Sequence, residues 1–319
     1  MFFSVIIPVY NRPQEVDELL DSLCKQSYQH FETLIIEDGS EQTCKNIVEK
    51  YTNRLDIRYY YKENSGQGFS RNFGFKRAEG DYFVVFDSDC LIPEHYFQTV
   101  NDFLKEHPLD AYGGPDREHP SFSATQKAIS YAMTSPFTTG GIRGRKNHAG
   151  TFHPRSFNMG ISREVFEETG GYRITRMGED VEFSIRIINH GFSTGLIPDA
   201  YVYHKRRTNL KQFYNQLHFF GRARINISRF FPDEIKFVHT LPALFTLGMA
   251  FFLTLPFWNF ALFKILLIPF CLLFALIFGH SAIKNKSIYI GLLSSAASFI
   301  QLTAYGIGFL TEWWTKLKE

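Results

Sequence analysis

Charged side chains are distributed very unevenly along this chain of 319 residues. Residues 240–319 contain only seven of them: Lys264, Lys284, Lys286, Glu312, Lys316, Lys318 and Glu319. The rest of the chain carries basic and acidic groups in nearly equal numbers, which is typical of a water-soluble globular domain. The sequence therefore predicts a globular N-terminal part that is followed by a membrane-embedded C-terminal part.

Three apolar segments of the C-terminal part each approach the roughly 20 residues that a helix needs to cross a bilayer. They lie near residues 241–259, 261–279 and 288–310. Prolines interrupt the first two segments, at Pro242, Pro256 and Pro269. We therefore expect two to three transmembrane helices. For the first two segments the alternative is a hairpin that enters the bilayer without crossing it.

Basic residues are concentrated just before the apolar part. Residues 203–239 contain eight Lys and Arg side chains against Asp233 and Glu234. Within them, Leu210–Phe231 mixes aromatic and basic residues, which suits a helix on a membrane surface or an amphipathic helix on a protein core. Basic segments flank membrane spans on the cytoplasmic side. Because Met1–Tyr10 also lacks the features of a signal peptide, we expect a multi-pass protein of a bacterial inner membrane with a cytoplasmic globular domain.

Short apolar runs alternate with helical patterns in the globular part. The runs that predict strands are Phe3–Val9, Thr33–Ile36, Ile57–Tyr61, Tyr82–Phe86 and Phe192–His204. Such alternation predicts an α/β fold with a parallel sheet, helices on both faces and a ligand site at the carboxyl ends of the strands. The predicted domains are residues 1–205 for the globular part, 206–239 for a basic amphipathic region and 240–319 for the membrane part.

Two carboxylates follow the strand Tyr82–Phe86, in the sequence Asp87-Ser88-Asp89. Residues i and i+2 of a strand point to the same side, so Asp87 and Asp89 are expected to face one site. Paired carboxylate oxygens suit Mg²⁺ or Mn²⁺. An acidic turn that ends the strand is the alternative.

Other candidate residues lie at the end of a strand and on two helices. Asp38 follows the second strand, where it can bind a nucleobase or a ribose or simply form a turn. Arg71 lies on a helix after a glycine-containing turn, so it either meets a diphosphate or lies on the surface. Glu179 and Asp180 begin a helix, and they either cap it or provide a general base.

The combination of these motifs resembles family-2 glycosyltransferases of the GT-A fold over roughly residues 3–205. The matching segments are Val5–Arg12, Glu37–Ser40, Gly68–Asn72, Gly80–Asp89, Asn158–Arg163, Gly170–Tyr172 and Gly178–Asp180. Their order and spacing fit the family. One departure is Glu37, where the family often has the first Asp of an Asp-Asp pair.

The resemblance implies a binding site for a nucleoside-diphosphate sugar. The residues implied at the nucleoside are Pro8, Tyr10 and Asp38, and those implied at the ribose and the diphosphate are Arg71, Asp87 and Ser88. The site would work with a divalent cation, Mn²⁺ or Mg²⁺, and the expected donor is a UDP-sugar.

The resemblance also implies a metal site and a general base. Asp87 and Asp89 would ligate the cation, and His204 matches a position that completes the metal site in some relatives. Asp180 would deprotonate the acceptor hydroxyl, with Glu179 as the next candidate. This arrangement implies an inverting transfer in one displacement.

The membrane part suggests that the acceptor is a lipid-linked saccharide used for a cell-surface polysaccharide. Two alternatives are the transfer of one sugar to polyprenyl phosphate and a non-catalytic membrane module that binds nucleotide. The glycine-rich, basic residues 138–150 are expected to form either a lid or a disordered loop, whose Arg143, Arg145 and Lys146 attract phosphates. Since the Gln-x-x-Arg-Trp signature of processive relatives is absent, repeated polymer extension is not expected.

Charge and cysteine content exclude other classes of function. A net charge of +2 and a pI near 8.2 argue against a nucleic-acid partner. The four cysteines have no CxxC spacing, so neither a zinc knuckle nor a disulfide scaffold is expected.

Overall fold

In the computed structural model, which describes residues 1–139 and 152–318, apolar runs of the N-terminal part form the β-strands. In chain order they are β1 (Phe3–Val9), β2 (Phe31–Asp38), β3 (Ile57–Lys62), β4 (Tyr82–Phe86), β5 (Cys90–Leu91), β6 (Ala111–Gly113), β7 (Asp116–Arg117), β8 (Asn158–Ser162), β9 (Thr194–Leu196) and β10 (Val202–His204). Nearly all residues of β1, β2 and β4 are buried, as expected for strands with helices on both faces.

The helices lie between and after these strands. They are α1 (Pro13–Leu23), α2 (Lys45–Val48), α3 (Gln67–Phe75), α4 (Tyr96–Glu106), α5 (Ala124–Thr134), α6 (Pro136–Thr139), α7 (Arg163–Thr169), α8 (Glu179–Asn189), α9 (Leu210–Ile227), α10 (Phe237–Thr254), α11 (Phe260–Asn285) and α12 (Ile288–Lys316). Short 3₁₀ turns occur at Glu49–Tyr51, Pro232–Glu234 and Leu255–Phe257. The apolar stripe of α1 is buried, as its helical spacing predicts.

The described residues form two compact units. The first contains Met1–His119 and the chain that leads up to Lys205, and the second contains α5, α6 and the chain from Arg206 onward. Residues 140–151, with Arg143, Arg145 and Lys146, lie outside the described residues, and so does most of the predicted lid. The predicted three-part division at residues 205 and 239 stays a prediction.

The first unit is built on a seven-stranded sheet with the order β3-β2-β1-β4-β8-β6-β9. β3, β2, β1 and β4 are parallel, as the alternating pattern predicts. β8 is antiparallel to both β4 and β6, so the complete sheet is mixed. The chain reaches β8 only after α5 and α6 of the second unit, and a strand that does not follow a single crossover helix can run in either direction.

The predicted strand over Phe192–His204 is in fact two strands. β9 belongs to the large sheet, whereas β10 joins a small sheet with the order β5-β10-β7. Pro198 lies between them and has no N–H group to donate to a ladder. The turn is closed by the hydrogen bond from Ala200 N to Ile197 O.

Apolar clusters cover both faces of the large sheet. On one face, the buried residues of α1 and α4 pack with side chains of β1 and β4 that include Val5 and Val84. On the other face, Ile6 and Val85 pack with buried residues of α3, α7 and α8. Neighbouring residues of one strand thus pack in clusters on opposite faces of the sheet. Because a shift by one residue would exchange the two faces, this burial fixes the register of the strands.

The second unit is formed by helices that pack around α12. α5, α9, α10 and α11 all contact it. Small residues allow α9 and α12 to approach closely: a Cβ atom on Gly221 would lie 2.1 Å from Tyr305 O, and one on Gly308 would lie 2.1 Å from His218 O. α5 completes this core, because Ile129 packs in the same apolar cluster as residues of α9 and α12.

Three helices of the second unit are long and apolar enough to span a membrane, namely Phe237–Phe257, Phe260–Asn285 and Ile288–Lys316. They begin at or before the predicted spans and continue past the prolines at positions 242 and 269, which lie inside α10 and α11. Much of the surface of α10 and α11 is exposed apolar side chain, whereas α12 is the most buried of the three.

Candidate active site

The candidate site lies at the carboxyl-terminal edge of the parallel strands. β1 ends at Val9, which pairs with Glu37 near the end of β2. Ile6 of β1 pairs with Val85 of β4, and β4 ends one residue before Asp87. The residues that follow β1, β2 and β4 therefore meet at one edge of the sheet, where α/β proteins bind ligands.

Three of the predicted donor-binding residues lie along this edge. Pro8 is a partly buried residue of β1, and Tyr10 directly follows the strand with 53% of its surface exposed. The aromatic ring of Tyr10 is thus exposed. Ser88 lies between the two carboxylates after β4 and is buried.

Asp38, the last residue of β2, is held by the protein itself. Its carboxylate accepts hydrogen bonds from Lys62 Nζ at 2.5 Å, Ser65 N at 2.9 Å and Gly66 N at 2.8 Å. Burial favours a raised pKa for Asp38, but these donors outweigh burial and hold the pKa below its usual value. Gly66 has φ +86°, and a Cβ atom there would lie 2.3 Å from Thr175 Oγ1. Asp38 therefore fixes the turn into α3, while its contact with a nucleoside stays a prediction.

Glu37, the departure from the family pattern, is completely buried. Its carboxylate accepts hydrogen bonds from the Ser40 hydroxyl, from Cys44 N at 2.8 Å and from the Tyr59 hydroxyl at 3.3 Å. The longer Glu side chain thus stabilises the loop after β2. Ser40 in turn accepts a hydrogen bond from Asn11 N at 2.8 Å, which joins this loop to the one after β1.

Arg71 connects the end of β4 with the start of α8. Its Nη2 lies 2.9 Å from Asp87 Oδ1, and its Nη1 lies 3.2 Å from Glu179 Oε1. The side chain is 1% exposed, and its guanidinium lies 5.3 Å from the centre of the Tyr172 ring. Arg71 therefore holds two predicted site carboxylates in fixed positions. Its predicted approach to a diphosphate stays a prediction.

The structure brings His204 to the carboxylates after β4. Its Nε2 lies 3.0 Å from Asp89 Oδ1 and 3.9 Å from Asp87 Oδ2. The small sheet explains this placement, because His204 of β10 pairs with Cys90 of β5, the residue after Asp89. The ring of Phe157 stacks on the imidazole with a centroid distance of 5.2 Å.

Cys90 adds a fourth potential metal ligand that sequence reasoning did not include. Among the described residues, Asp89, Cys90 and His204 each offer a ligand atom, and these atoms lie within 4.8 Å of one another. Burial raises the pKa of the Cys90 thiol well above its usual value, and the thiol donates to Phe157 O at 3.5 Å. The carboxylate oxygens of Asp87 and Asp89 suit Mn²⁺ or Mg²⁺, and His204 offers an imidazole nitrogen beside them.

Arg12 also contacts the candidate metal ligands. Its Nη1 lies 2.5 Å from Asp89 Oδ2. The Arg12 side chain is 33% exposed, whereas the Asp89 side chain is 8% exposed. The carboxylate of Asp89 is thus shared between an imidazole and an arginine that reaches the solvent.

Glu179 and Asp180 begin α8, as predicted, and their environments differ. Asp180 Oδ2 accepts from Arg155 Nε at 2.6 Å, and Asp180 Oδ1 accepts from Val181 N at 2.8 Å. Burial favours a raised pKa for Asp180, but Arg155 outweighs burial and lowers it. Burial, followed by repulsion from Asp180, raises the pKa of Glu179 despite its contact with Arg71. Asp180 is therefore the more acidic member of this pair.

Sequence reasoning missed three basic partners of these carboxylates, namely Lys62, Arg12 and Arg155. Arg12 lies within the first matching segment, so its position in that motif was an available signal. Arg155 lies in no recognised motif, and nothing in the sequence marks it.

Comparisons with known proteins agree with this geometry. The family described as "Glycosyl transferase family 2" matches residues 4–170, which is more than half of the chain. Poly(ribitol-phosphate) beta-N-acetylglucosaminyltransferase TarS of Staphylococcus aureus is 38% identical over 114 residues, which are 34% of this chain and 20% of TarS. Minor teichoic acid biosynthesis protein GgaB of Bacillus subtilis is 25% identical over 246 residues, which are 73% of this chain and 27% of GgaB. The chain thus spans about a fifth to a quarter of these relatives.

Solved structures show the same fold. The mannosyltransferase PcManGT from Pyrobaculum calidifontis, in complex with GDP-Man and Mn²⁺, superposes with a TM-score of 0.71 at 16% identity and covers 98% of this chain and 87% of its own. Residues 1–349 of S. aureus TarS in complex with UDP give a TM-score of 0.50 at 24% identity, covering 71% of this chain and 66% of that one. The family match, the TarS and GgaB relatives and the GT-A neighbours agree with the carboxylates at the sheet edge: the chain belongs to glycosyl transferase family 2.

Proposed function

We propose that the protein is an inverting, metal-dependent transferase that moves a sugar from a nucleoside-diphosphate sugar to a lipid-linked saccharide in cell-surface polysaccharide synthesis. One observation carries this proposal. Buried Arg71 joins Asp87, next to the candidate metal ligands, to Glu179, next to the candidate base. This connection through one side chain supports neighbouring sites for a leaving diphosphate and an acceptor hydroxyl.

On the donor side, the nucleoside is expected against Tyr10 and the turn that Asp38 fixes, and the diphosphate at Asp87 and Asp89. Asp89 and His204, with Asp87, would hold Mn²⁺ or Mg²⁺, which when bound neutralises charge on the leaving diphosphate. The ring of Phe157 keeps the imidazole of His204 in place. The site residues are thereby oriented before the donor binds, which lowers the cost of reaching the transition state.

On the acceptor side, Asp180 accepts the proton of the attacking hydroxyl. Its low pKa keeps it ionised at neutral pH, and Arg155 holds one of its oxygens. The hydroxyl oxygen attacks the anomeric carbon from the face opposite the diphosphate. One bond forms as the other breaks, so the anomeric configuration inverts and no covalent enzyme intermediate is needed.

The relatives support the choice of donor and acceptor. TarS has been solved with UDP and with UDP-GlcNAc, and GgaB is named for teichoic acid biosynthesis. We therefore propose a UDP-sugar as donor and a lipid-linked precursor as acceptor. The three apolar helices support a membrane location, with the first unit on the cytoplasmic side where nucleotide sugars are made.

The test is calorimetric titration of the full chain in detergent with UDP, with and without Mn²⁺. Asp89→Ala should abolish Mn²⁺-dependent UDP binding while thermal unfolding stays close to wild type. Glu106→Ala, an exposed carboxylate at the end of α4, is the matched control and should bind like wild type. Undiminished, Mn²⁺-dependent UDP affinity in Asp89→Ala would contradict the metal assignment.

The acceptor is tested separately by chromatography of radiolabelled lipid products. Membranes supplied with a radiolabelled UDP-sugar should yield an extended oligosaccharide lipid. A product with the size of a monosaccharide-phosphate lipid would instead establish transfer to polyprenyl phosphate.

A further inference from the structure

Among the basic side chains at the sheet edge, Arg12 is partly exposed and Arg71 is buried. Arg71 lies between Asp87 and Glu179 with 1% of its side chain exposed. Arg12 contacts the carboxylate of Asp89, and a third of its side chain reaches solvent. An arginine that has one short contact and is partly exposed to solvent can replace that contact by a contact with another anion.

The backbone next to Arg12 is anchored, so a change of partner involves the side chain alone. Asn11 N donates to Ser40 Oγ at 2.8 Å, and Asn11 Oδ1 accepts from Glu41 N and Gln42 N at 2.9 and 3.0 Å. Pro13, directly after Arg12, begins α1 and restricts the chain further. The guanidinium can therefore change its position while the backbone at this sheet edge stays in place.

A divalent cation would compete with Arg12 for Asp89. One oxygen of Asp89 lies 3.0 Å from His204 Nε2 and the other lies 2.5 Å from Arg12 Nη1. A cation held between Asp89 and His204 would lie close to the guanidinium, and two positive charges at one carboxylate repel each other. Cation binding therefore weakens the contact between Arg12 and Asp89.

The diphosphate of a donor is the group that a displaced Arg12 would meet. The planar guanidinium fits phosphate oxygens with two parallel hydrogen bonds. Building on the proposed function, we infer that Arg12 exchanges partners: it neutralises Asp89 in the empty site and binds the donor diphosphate in the loaded site. This exchange couples metal binding to donor binding, since each ligand removes an obstacle for the other.

The inference predicts effects of opposite sign in one variant. Without nucleotide, Arg12→Gln should bind Mn²⁺ about tenfold more tightly than wild type, because the competing cation is gone. At saturating Mn²⁺, the same variant should bind UDP about tenfold more weakly, because a charge-assisted contact to the diphosphate is lost. Free Mn²⁺ is measured by electron paramagnetic resonance and UDP binding by calorimetry, on the full chain in detergent.

Two further variants make the result specific. Arg12→Lys keeps the charge but not the paired hydrogen bonds, so Mn²⁺ affinity should stay near wild type while UDP affinity falls. Arg54→Gln removes a surface arginine that lies 3.9 Å from Asp21, and it should change neither affinity. If Arg12→Gln binds Mn²⁺ as wild type does or more weakly, the exchange is overturned while the proposed function stands. If wild type binds neither Mn²⁺ nor UDP, both are overturned.

Discussion

A cluster of carboxylates in the first unit and the buried carboxylate of Glu312 in the second are both held by arginines, yet the two differ in charge balance. In the first unit, carboxylates outnumber the arginines that contact them: the carboxylates are Asp87, Asp89, Glu179 and Asp180, and the arginines are Arg12, Arg71 and Arg155. In the second unit, Glu312 of α12 meets Arg222 Nε and Arg229 Nη1 of the α9 segment, each at 2.9 Å. Where carboxylates are in excess, negative charge remains that can bind a cation and a proton. Where arginines are in excess, the negative charge of the carboxylate is fully compensated.

This difference in charge balance indicates different roles for the two clusters. Arg12, which contacts Asp89 after β4, and Arg155, which contacts Asp180 at the start of α8, have side chains that are 33% and 40% exposed. The carboxylate on α12 is 8% exposed and joins two helices that otherwise approach through glycine. Substitutions in the first cluster should therefore change catalysis, and those between α9 and α12 should change stability.

The largest effect is expected for Asp180→Asn. Asparagine keeps the size of the side chain and can still accept the hydrogen bond from Val181 N, but it cannot accept a proton. Since general-base catalysis contributes about 10²–10⁴-fold, kcat should fall at least about a hundredfold. Initial rates of sugar transfer measure this, and UDP affinity should remain close to wild type.

Glu179→Gln is the comparison for that variant. Its buried side chain contacts Arg71 and Gln67, so its loss should weaken the arrangement of the site without removing the base. If Asp180→Asn turns over near the wild-type rate and Glu179→Gln does not, the two residues exchange roles and Asp180 is only part of the helix start.

A smaller effect, on stability alone, is expected for Gly308→Ala. The new Cβ atom would lie 2.1 Å from the backbone oxygen of His218, which cannot rotate away, so α9 and α12 must separate. Such overpacking typically costs about 1–3 kcal/mol, and thermal unfolding in detergent should show it. Gly248→Ala, in the similarly apolar α10, has no atom within 4 Å of its new Cβ and should unfold like wild type. Equal stability of the two variants would contradict close packing of α9 on α12.

The smallest effect is expected for Arg155→Gln. Arg155 lowers the pKa of Asp180, so without it burial dominates and the pKa of Asp180 rises. A base with a higher pKa is protonated at higher pH, so the acidic limb of the kcat/KM profile should move to higher pH. Arg173→Gln, an exposed arginine before α8, should leave the profile in place. A shift to lower pH would show that Asp180 is not the titrating base.

How far the sequence predicts this site depends on the distance along the chain over which each contact forms. Asp87 and Asp89 can be predicted as candidates because a buried strand and the carboxylates that follow it are neighbours in sequence. Arg12 contacts Asp89 across 77 positions and Arg155 contacts Asp180 across 25, and no periodicity links such pairs.

The same reasoning explains what was missed in the fold. A pattern of alternating strands and helices cannot give the direction of β8, which follows α5 and α6 rather than one crossover helix. The composition also does not show that α5 packs with helices near the C-terminus, because α5 lies within the part of the sequence that reads as a globular domain. The apolar residues of α5 would follow the same sequence pattern whether the helix packed in the first unit or in the second.

The position of α5 has a consequence for how the protein is synthesised. α5 leaves the ribosome about 150 residues before α12 begins, and at about 5–20 residues per second that interval lasts roughly 8–30 s. During that interval Ile129, Ala132 and Met133 lack their contacts with α12, so part of the apolar face of α5 stays uncovered in the nascent chain. A chain truncated at Arg207 keeps α5 but loses α9 and α12, and it should aggregate unless residues 120–139 are removed as well.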